Sequence, residues 1–299
     1  MMLLLMGDGP GVAWVRAFLD ESCAGYPTEM MPTIEVIDGP PTRQLLVSLL
    51  AGPIDVLILA DYLPFADGAM MSVLPPIDAV RHEAQRAILA LELARHATRT
   101  LVLARSDAEP WSASLALLQP DLLGAPVADQ RSAPSTPPPA GVGAPASPPD
   151  TPLVATYLEP LFAATARTAP LVLTWPREAF LHGDDPNEVL PATIEVAGRV
   201  RILAYGPYLP LPMGSWHATA FLGFSPDIGK MPFIFEAVTG GAMTRGFFEV
   251  ERGGIFTLEL DFQVTDAMDP VELRLISQET ALEGQVALIE VKLEQFTGS

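Results

Sequence analysis

Cysteine is all but absent from this 299-residue chain, which holds a single one, Cys23. That excludes an internal disulfide and any zinc site built on several thiolates. Cys23 has no histidine near it in sequence and reads as a packing residue. Basic residues are scarce as well: 17 Lys and Arg stand against 36 Asp and Glu, a formal net charge of −19. The imbalance is spread along the chain, with 15 acids to 7 bases in residues 1–125 and 19 to 9 in 154–299. A chain without a basic stripe repels phosphate backbones and anionic lipid, so nucleic acid and membrane surfaces are poor partners. Long hydrophobic runs are missing too. Apolar residues make up 49% of the chain, yet no uninterrupted apolar stretch reaches the length of a spanning helix. The opening run Met1-Met2-Leu3-Leu4-Leu5-Met6 has no basic flank and is too short for a signal-peptide core. It reads as the first strand of a cytoplasmic protein.

What the chain does contain changes character along its length. Strand-like apolar runs at 3–6, 33–37, 54–59 and 100–104 are separated by helical patterns. In the longest of these, about 76–97, Ile77, Val80, Ala84, Ala87, Ile88 and Leu91 share one face, and Arg81, Glu83, Arg86 and Arg95 lie elsewhere. Strand and helix in alternation predict a small doubly wound parallel-sheet (α/β) domain over 1–125, flavodoxin-like in type. Residues 126–152 are rich in proline, with eight between Arg131 and Leu153, and read as a disordered linker. Residues 153–168 have a helical pattern interrupted by Pro160, and could complete the first domain.

From 169 to 299 the period is two. Phe256, Leu258, Leu260, Phe262 and Val264 alternate with Thr257, Glu259, Asp261 and Gln263. The same alternation recurs around Val271–Leu275 and Ile289–Leu293. One wet face and one dry face are the mark of antiparallel sheet, and about eight such strands predict a jelly-roll-like β-sandwich.

Candidate chemistry is sparse. The loop Gly7-Asp8-Gly9-Pro10-Gly11 sits where nucleotide folds hold phosphate, but a G-x-G-x-x-G pattern requires glycine where Val12 stands, and Asp8 would repel phosphate. No cofactor is expected. The carboxyl ends of parallel strands present Asp8, Asp38, Asp61, Tyr62, Arg105 and Asp107. Asp8 and Asp61 are the candidate catalytic pair, since two carboxylates in one cleft can act as acid and base. Aspartates at such ends equally serve as helix caps and turn formers. The loop His182-Gly183-Asp184-Asp185 offers oxygen ligands for calcium or is an ordinary polar turn, and no metal site is assigned.

Two stretches resemble known families. Gly7-Asp8-Gly9 after strand one resembles the first block of SGNH-type hydrolases, where a G-D-S triplet supplies the nucleophile. Here glycine replaces the serine. None of His82, His96, His182 or His217 has an aspartate three positions earlier, so the family's D-x-x-H block is missing as well. The stretch Tyr205-Gly206-Pro207-Tyr208-Leu209-Pro210-Leu211-Pro212-Met213-Gly214-Ser215-Trp216 resembles a Y-G-P-Y-x-x-L-P-x-G-x-W/Y pattern. That pattern is associated with β-sandwich domains of bacterial proteins tied to surface-polysaccharide synthesis. The resemblance implies a carbohydrate-binding-like module whose partner is a polysaccharide or a polysaccharide-synthesis enzyme. Tyr208, Trp175 and Trp216 are the candidate sugar-stacking rings, Tyr208 on a turn where a strand ends at Tyr205. Trp216 could instead face inward with Ala218, Ala220 and Leu222. The first functional expectation is therefore a non-catalytic accessory protein of polysaccharide biosynthesis. The alternatives are a sugar-directed transferase or esterase at the α/β strand ends, and a structural interaction subunit whose sign would be exposed apolar surface.

Overall fold

The computed structural model describes residues 1–7, 9–23, 32–37, 42–60, 76–103, 115, 152–165, 170–186 and 188–296. The strand-end residues Asp8, Asp38, Asp61, Tyr62, Arg105 and Asp107, and residues 126–151 of the proline-rich stretch, lie outside them. The chain divides into two units: Met1–Leu74 with Leu89–Pro148, and Pro75–Ile88 with Pro149–Ser299.

The first unit is built on β1 (Met2–Gly7), β2 (Thr33–Ile37), β3 (Ile54–Ala60) and β4 (Ala97–Leu103), with α1 (Gly9–Cys23) and α2 (Arg43–Leu50) between strands. All three strand pairs are parallel, in the order β2-β1-β3-β4. Strands covered on both faces read as unbroken apolar runs. Accordingly Leu3, Leu4, Leu5, Leu57, Ile58 and Leu59 are all buried. Trp14, Val15, Phe18 and Leu19 of α1 fall on one helical stripe and pack with Leu3, Leu5, Val56 and Ile58. Thr42 caps α2 by accepting from the Leu45 amide at 3.1 Å. Gly7 is required by proximity: a Cβ there would lie 1.9 Å from the Ala60 carbonyl oxygen. The first glycine of the loop is thus explained by the tight end of β1 without any ligand.

The long helix α3 (Pro76–His96) belongs to the second unit as far as Ile88. Its expected polar side is not all wet: Glu83 and Arg86 are buried and paired at 2.9 Å, with the Arg86 guanidinium 5.4 Å from the Phe162 ring centroid. Residues 153–164, weighed above as a completion of the first domain, lie in the second unit. They form a π-helical turn, Val154–Leu158, followed by α4 (Glu159–Ala164). Pro160 sits in the first turn of α4, directly after the π-helical turn, in which the Glu159 N–H bonds the Val154 carbonyl.

The rest of the second unit is a β-sandwich. Its strands are β5 (Val172–Pro176), β6 (Leu181–His182), β7 (Ile194–Glu195), β8 (Ile202–Pro210) and β9 (Gly214–Phe224). They continue with β10 (Met231–Thr239), β11 (Ala242–Val250), β12 (Gly254–Val264), β13 (Pro270–Ser277) and β14 (Gln285–Gln295). One sheet has the order β11-β10-β13-β8-β6, the other β12-β9-β14-β5 with β7 also on β14, and every pairing is antiparallel. Alternation places Trp216, Ala218, Ala220 and Leu222 of β9 inward, each fully buried, facing the interior with Phe233, Phe235, Leu273 and Leu275 of the other sheet. Among the described residues no helix is long and apolar enough to cross a membrane.

Candidate functional site

The stretch that resembles the polysaccharide-associated pattern does not form a turn at Tyr205. Strand β8 runs on to Pro210, and pairing with β13 resumes with Leu209 opposite Val271 and Pro210 opposite Pro270. Between these pairs and the match of Pro207 with Glu272, Tyr208 is an extra residue, a β-bulge. The expected turn is therefore corrected: one inserted residue re-aims a side chain without ending the strand. Tyr208 takes φ +62, the only non-glycine residue with positive φ among those described. A bulky side chain there is an outlier, held against a cost on the order of 1–3 kcal/mol only where its surroundings over-determine it.

Those surroundings are specific. The Tyr208 hydroxyl donates to Glu272 Oε1 at 2.9 Å. The other oxygen of Glu272 accepts from Arg274 at 2.6 Å, and Arg274 also donates to Glu236 at 3.1 Å. Glu236, buried at 1% exposure on β10, accepts from Arg245 of β11 at 2.7 Å as well. Directly opposed positions on neighbouring strands generate this row: Glu236 faces Arg245 on one side and Arg274 on the other, and Arg274 faces Tyr205. Tyr205 and Tyr208 meet edge to face, centroids 6.1 Å apart. From the first half of α3, Arg81 donates to the Pro207 carbonyl at 3.0 Å, with its guanidinium 6.0 Å from the Tyr208 ring centroid. Beside Tyr208 opens a groove of about 270 Å³ lined by Arg81, Gln85, Tyr208, Pro210, Met268 and Pro270.

Burial, with the Glu272 hydrogen bond and charge behind it, pushes the Tyr208 hydroxyl up to about 12. Tyr205 is raised as well, by burial first and then by Glu272 and Asp185. Both phenols stay protonated at neutral pH and act as donors. Arg274 is held above its usual range, chiefly by its hydrogen bond to Glu272. The half-buried Tyr208 ring with the Gln85 amide and the Arg81 guanidinium at one groove can stack on an apolar sugar face and bond its hydroxyls.

Tyr208 is the one proposed sugar-stacking ring of the three that stands at a groove. Trp175 and Trp216 are fully buried, which corrects their assignment to sugar stacking. Trp175 is wedged between Tyr157 and Phe180, centroids 6.3 and 6.4 Å away. Trp216 takes the inward phase of β9 and donates its indole N–H to the Pro212 carbonyl at 2.9 Å. In the 182–185 loop, Asp184 accepts from Arg201 at 2.9 Å. Gly183 serves close approach, since a Cβ would lie 1.8 Å from the Ile202 carbonyl oxygen. Among the described residues no group of three metal-ligating side chains converges. The candidate pair Asp8 and Asp61 lies outside the described residues.

Sequence reading missed Glu236, Glu272, Arg274, Arg245, Arg81 and Gln85. One signal was available: Glu236 interrupts the buried run of β10 (MPFIFEAVT), and a charge there needs partners. Nothing local marks Arg81, which reaches the site from 126 residues before Pro207.

No family and no curated protein matches the sequence. Among solved structures, a CBM22-1 xylan-binding domain from Paenibacillus barcinonensis is similar at 9% identity, covering 44% of this chain and 99% of that one with a TM-score of 0.31. A CBM36-1 domain of a xylanase from the hindgut metagenome of Trinervitermes trinervoides is similar at 10% identity, covering 43% and 99% with a TM-score of 0.30. Murine APRIL is similar at 9% identity, covering 42% and 98% with a TM-score of 0.26. Likenesses this distant, to xylan-associated modules and to APRIL alike, say nothing about a ligand.

Proposed function

We propose that the protein is a non-catalytic, glycan-binding accessory protein of bacterial polysaccharide biosynthesis, and that the groove beside Tyr208 holds the sugar. The observation that carries the reading is the bulge. A tyrosine is kept at φ +62, fixed by Glu272 and flanked by Arg81, at the edge of a groove. Strain of that kind collects where a side chain must be presented in one direction. The resemblance of 205–216 to polysaccharide-associated sandwiches supports the biosynthetic setting.

The test is affinity electrophoresis of the whole protein through gels carrying neutral or acidic polysaccharides. Retardation by at least one polymer is expected, and Tyr208→Ala should weaken it about tenfold, the value of a ring contact worth roughly 1–1.5 kcal/mol. Equal retardation of the variant and the wild type would remove Tyr208 from the site.

A further inference from the structure

Strand β12 forms one edge of its sheet, and β11 forms one edge of the other. Natural edges of this kind are usually shortened, bulged or broken by proline. Charged side chains protect edges too, and of these devices β12 has only its charge, at exposed Glu259 and Asp261: it pairs with β9 in unbroken register from Gly254 opposite Phe224 to Val264 opposite Gly214, and it contains no proline. Among the described residues nothing pairs with its open side.

The two faces of this edge carry different chemistry. Outward stand Thr257, Glu259, Asp261 and Gln263, all exposed. Asp261 accepts from His217 at 2.6 Å, and Glu259 has no ion-pair partner among the described residues. Inward stand Phe256 and Leu258, only half-buried, followed by buried Leu260 and Phe262. On β11, Phe248 is half-buried too, and its ring and that of Phe256 both meet Phe224 edge-on, centroids 6.4 and 5.9 Å away. The rim of the sandwich is thus an open hydrogen-bonding edge with incompletely covered apolar side chains on one side and, on the other, the carboxylate of Glu259 beside that of Asp261, which His217 contacts.

We propose that this edge receives an extended peptide segment with alternating apolar and basic side chains, added antiparallel to β12 as a further strand. Its apolar residues would complete the cover over Phe256 and Leu258, and its lysines or arginines would stand opposite Glu259 and Asp261. A basic partner matches the −10 carried by residues 154–299. A second copy of this chain fits less well. The antiparallel register that overlaps all of β12 sets Glu259 against Glu259, and like charges directly opposed across strands are unfavourable. The edge is separate from the Tyr208 groove, so the two proposals stand independently.

The experiment measures binding of a fluorescent peptide, Lys-Val-Lys-Val-Lys-Val-Lys, to the full chain by anisotropy. The controls are Lys-Val-Lys-Pro-Lys-Val-Lys, of equal charge but unable to continue a ladder, and Glu-Val-Glu-Val-Glu-Val-Glu. The alternating basic peptide alone is expected to bind. Glu259→Lys should weaken it about tenfold or more, through lost and reversed cross-strand charge pairs, without altering retardation by polysaccharide. Failure of the alternating peptide to bind, equal binding of the proline-bearing peptide, or indifference to Glu259→Lys would each overturn the proposal. So would sedimentation showing a dimer that Glu259→Gln strengthens, because β12 would then be pairing with its own copy and the variant would relieve the Glu259–Glu259 repulsion.

Discussion

Tyr208 and Glu272 meet across the one place where β8 and β13 fall out of step, the phenol donating to the carboxylate at 2.9 Å. The carboxylate is in turn fixed by Arg274 at 2.6 Å. Strain in the backbone and order in the side chains are therefore coupled at one residue.

That coupling makes glycine informative at position 208. Glycine tolerates positive φ, so Tyr208→Gly relieves the backbone while deleting the ring and its hydrogen bond. The two effects oppose each other at about 1 kcal/mol each. Urea denaturation should place the variant within about 1 kcal/mol of wild type, with polysaccharide retardation weakened about tenfold, as for Tyr208→Ala. A large loss of stability would mean that the ring is mainly a structural brace.

The same phenol gives a pH signature. Its folded value of about 12 lies above the ordinary tyrosine value of 10, so folding favours the protonated form. The associated stability is complete below about pH 10 and is lost as pH rises toward 12. Thermal melts across that window should fall less steeply for Tyr208→Phe than for wild type. Identical slopes would mean that burial and the Glu272 contact do not raise this phenol.

The register of β12 predicts a contrast between neighbours. Leu260 is buried and Glu259 exposed. Leu260→Ala should cost on the order of 2–5 kcal/mol by emptying core volume, and Glu259→Ala should stay within about 0.5 kcal/mol. Equal costs in chemical denaturation would mean that the strand has the opposite phase.

The parallel sheet and the sandwich were legible because each is written in a period: unbroken apolar runs at β1 and β3, strict alternation through β12. The bulge was not. Gly206-Pro207 reads locally as a turn, and only the pairing of Leu209 with Val271 beyond it shows that the strand continues. The tryptophans mislead for a related reason: an aromatic suits a sugar face and a core equally, and the phase of β9 decides for Trp216. The polar row through Glu236 and Arg274 depends on cross-strand register, which no single stretch of sequence encodes.

Arg201 offers the last test, because one guanidinium organises a whole loop. It donates to Asp184 at 2.9 Å and to the carbonyls of Glu195, Ala197, Val196 and Arg199 at 2.6, 3.1, 3.3 and 3.3 Å. A planar fork with five N–H groups can serve acceptors spread in this way, whereas the compact ammonium of lysine reaches fewer of them. Arg201→Met should therefore cost about 1–3 kcal/mol by leaving carbonyls without their donor, and Arg201→Lys should recover less than half of that. Protease digestion of the variants should show an added cleavage between Glu195 and Arg199, where the donor is lost, while the wild type resists there. Full recovery by lysine would mean that the loop needs only a positive charge and not the shape of the fork.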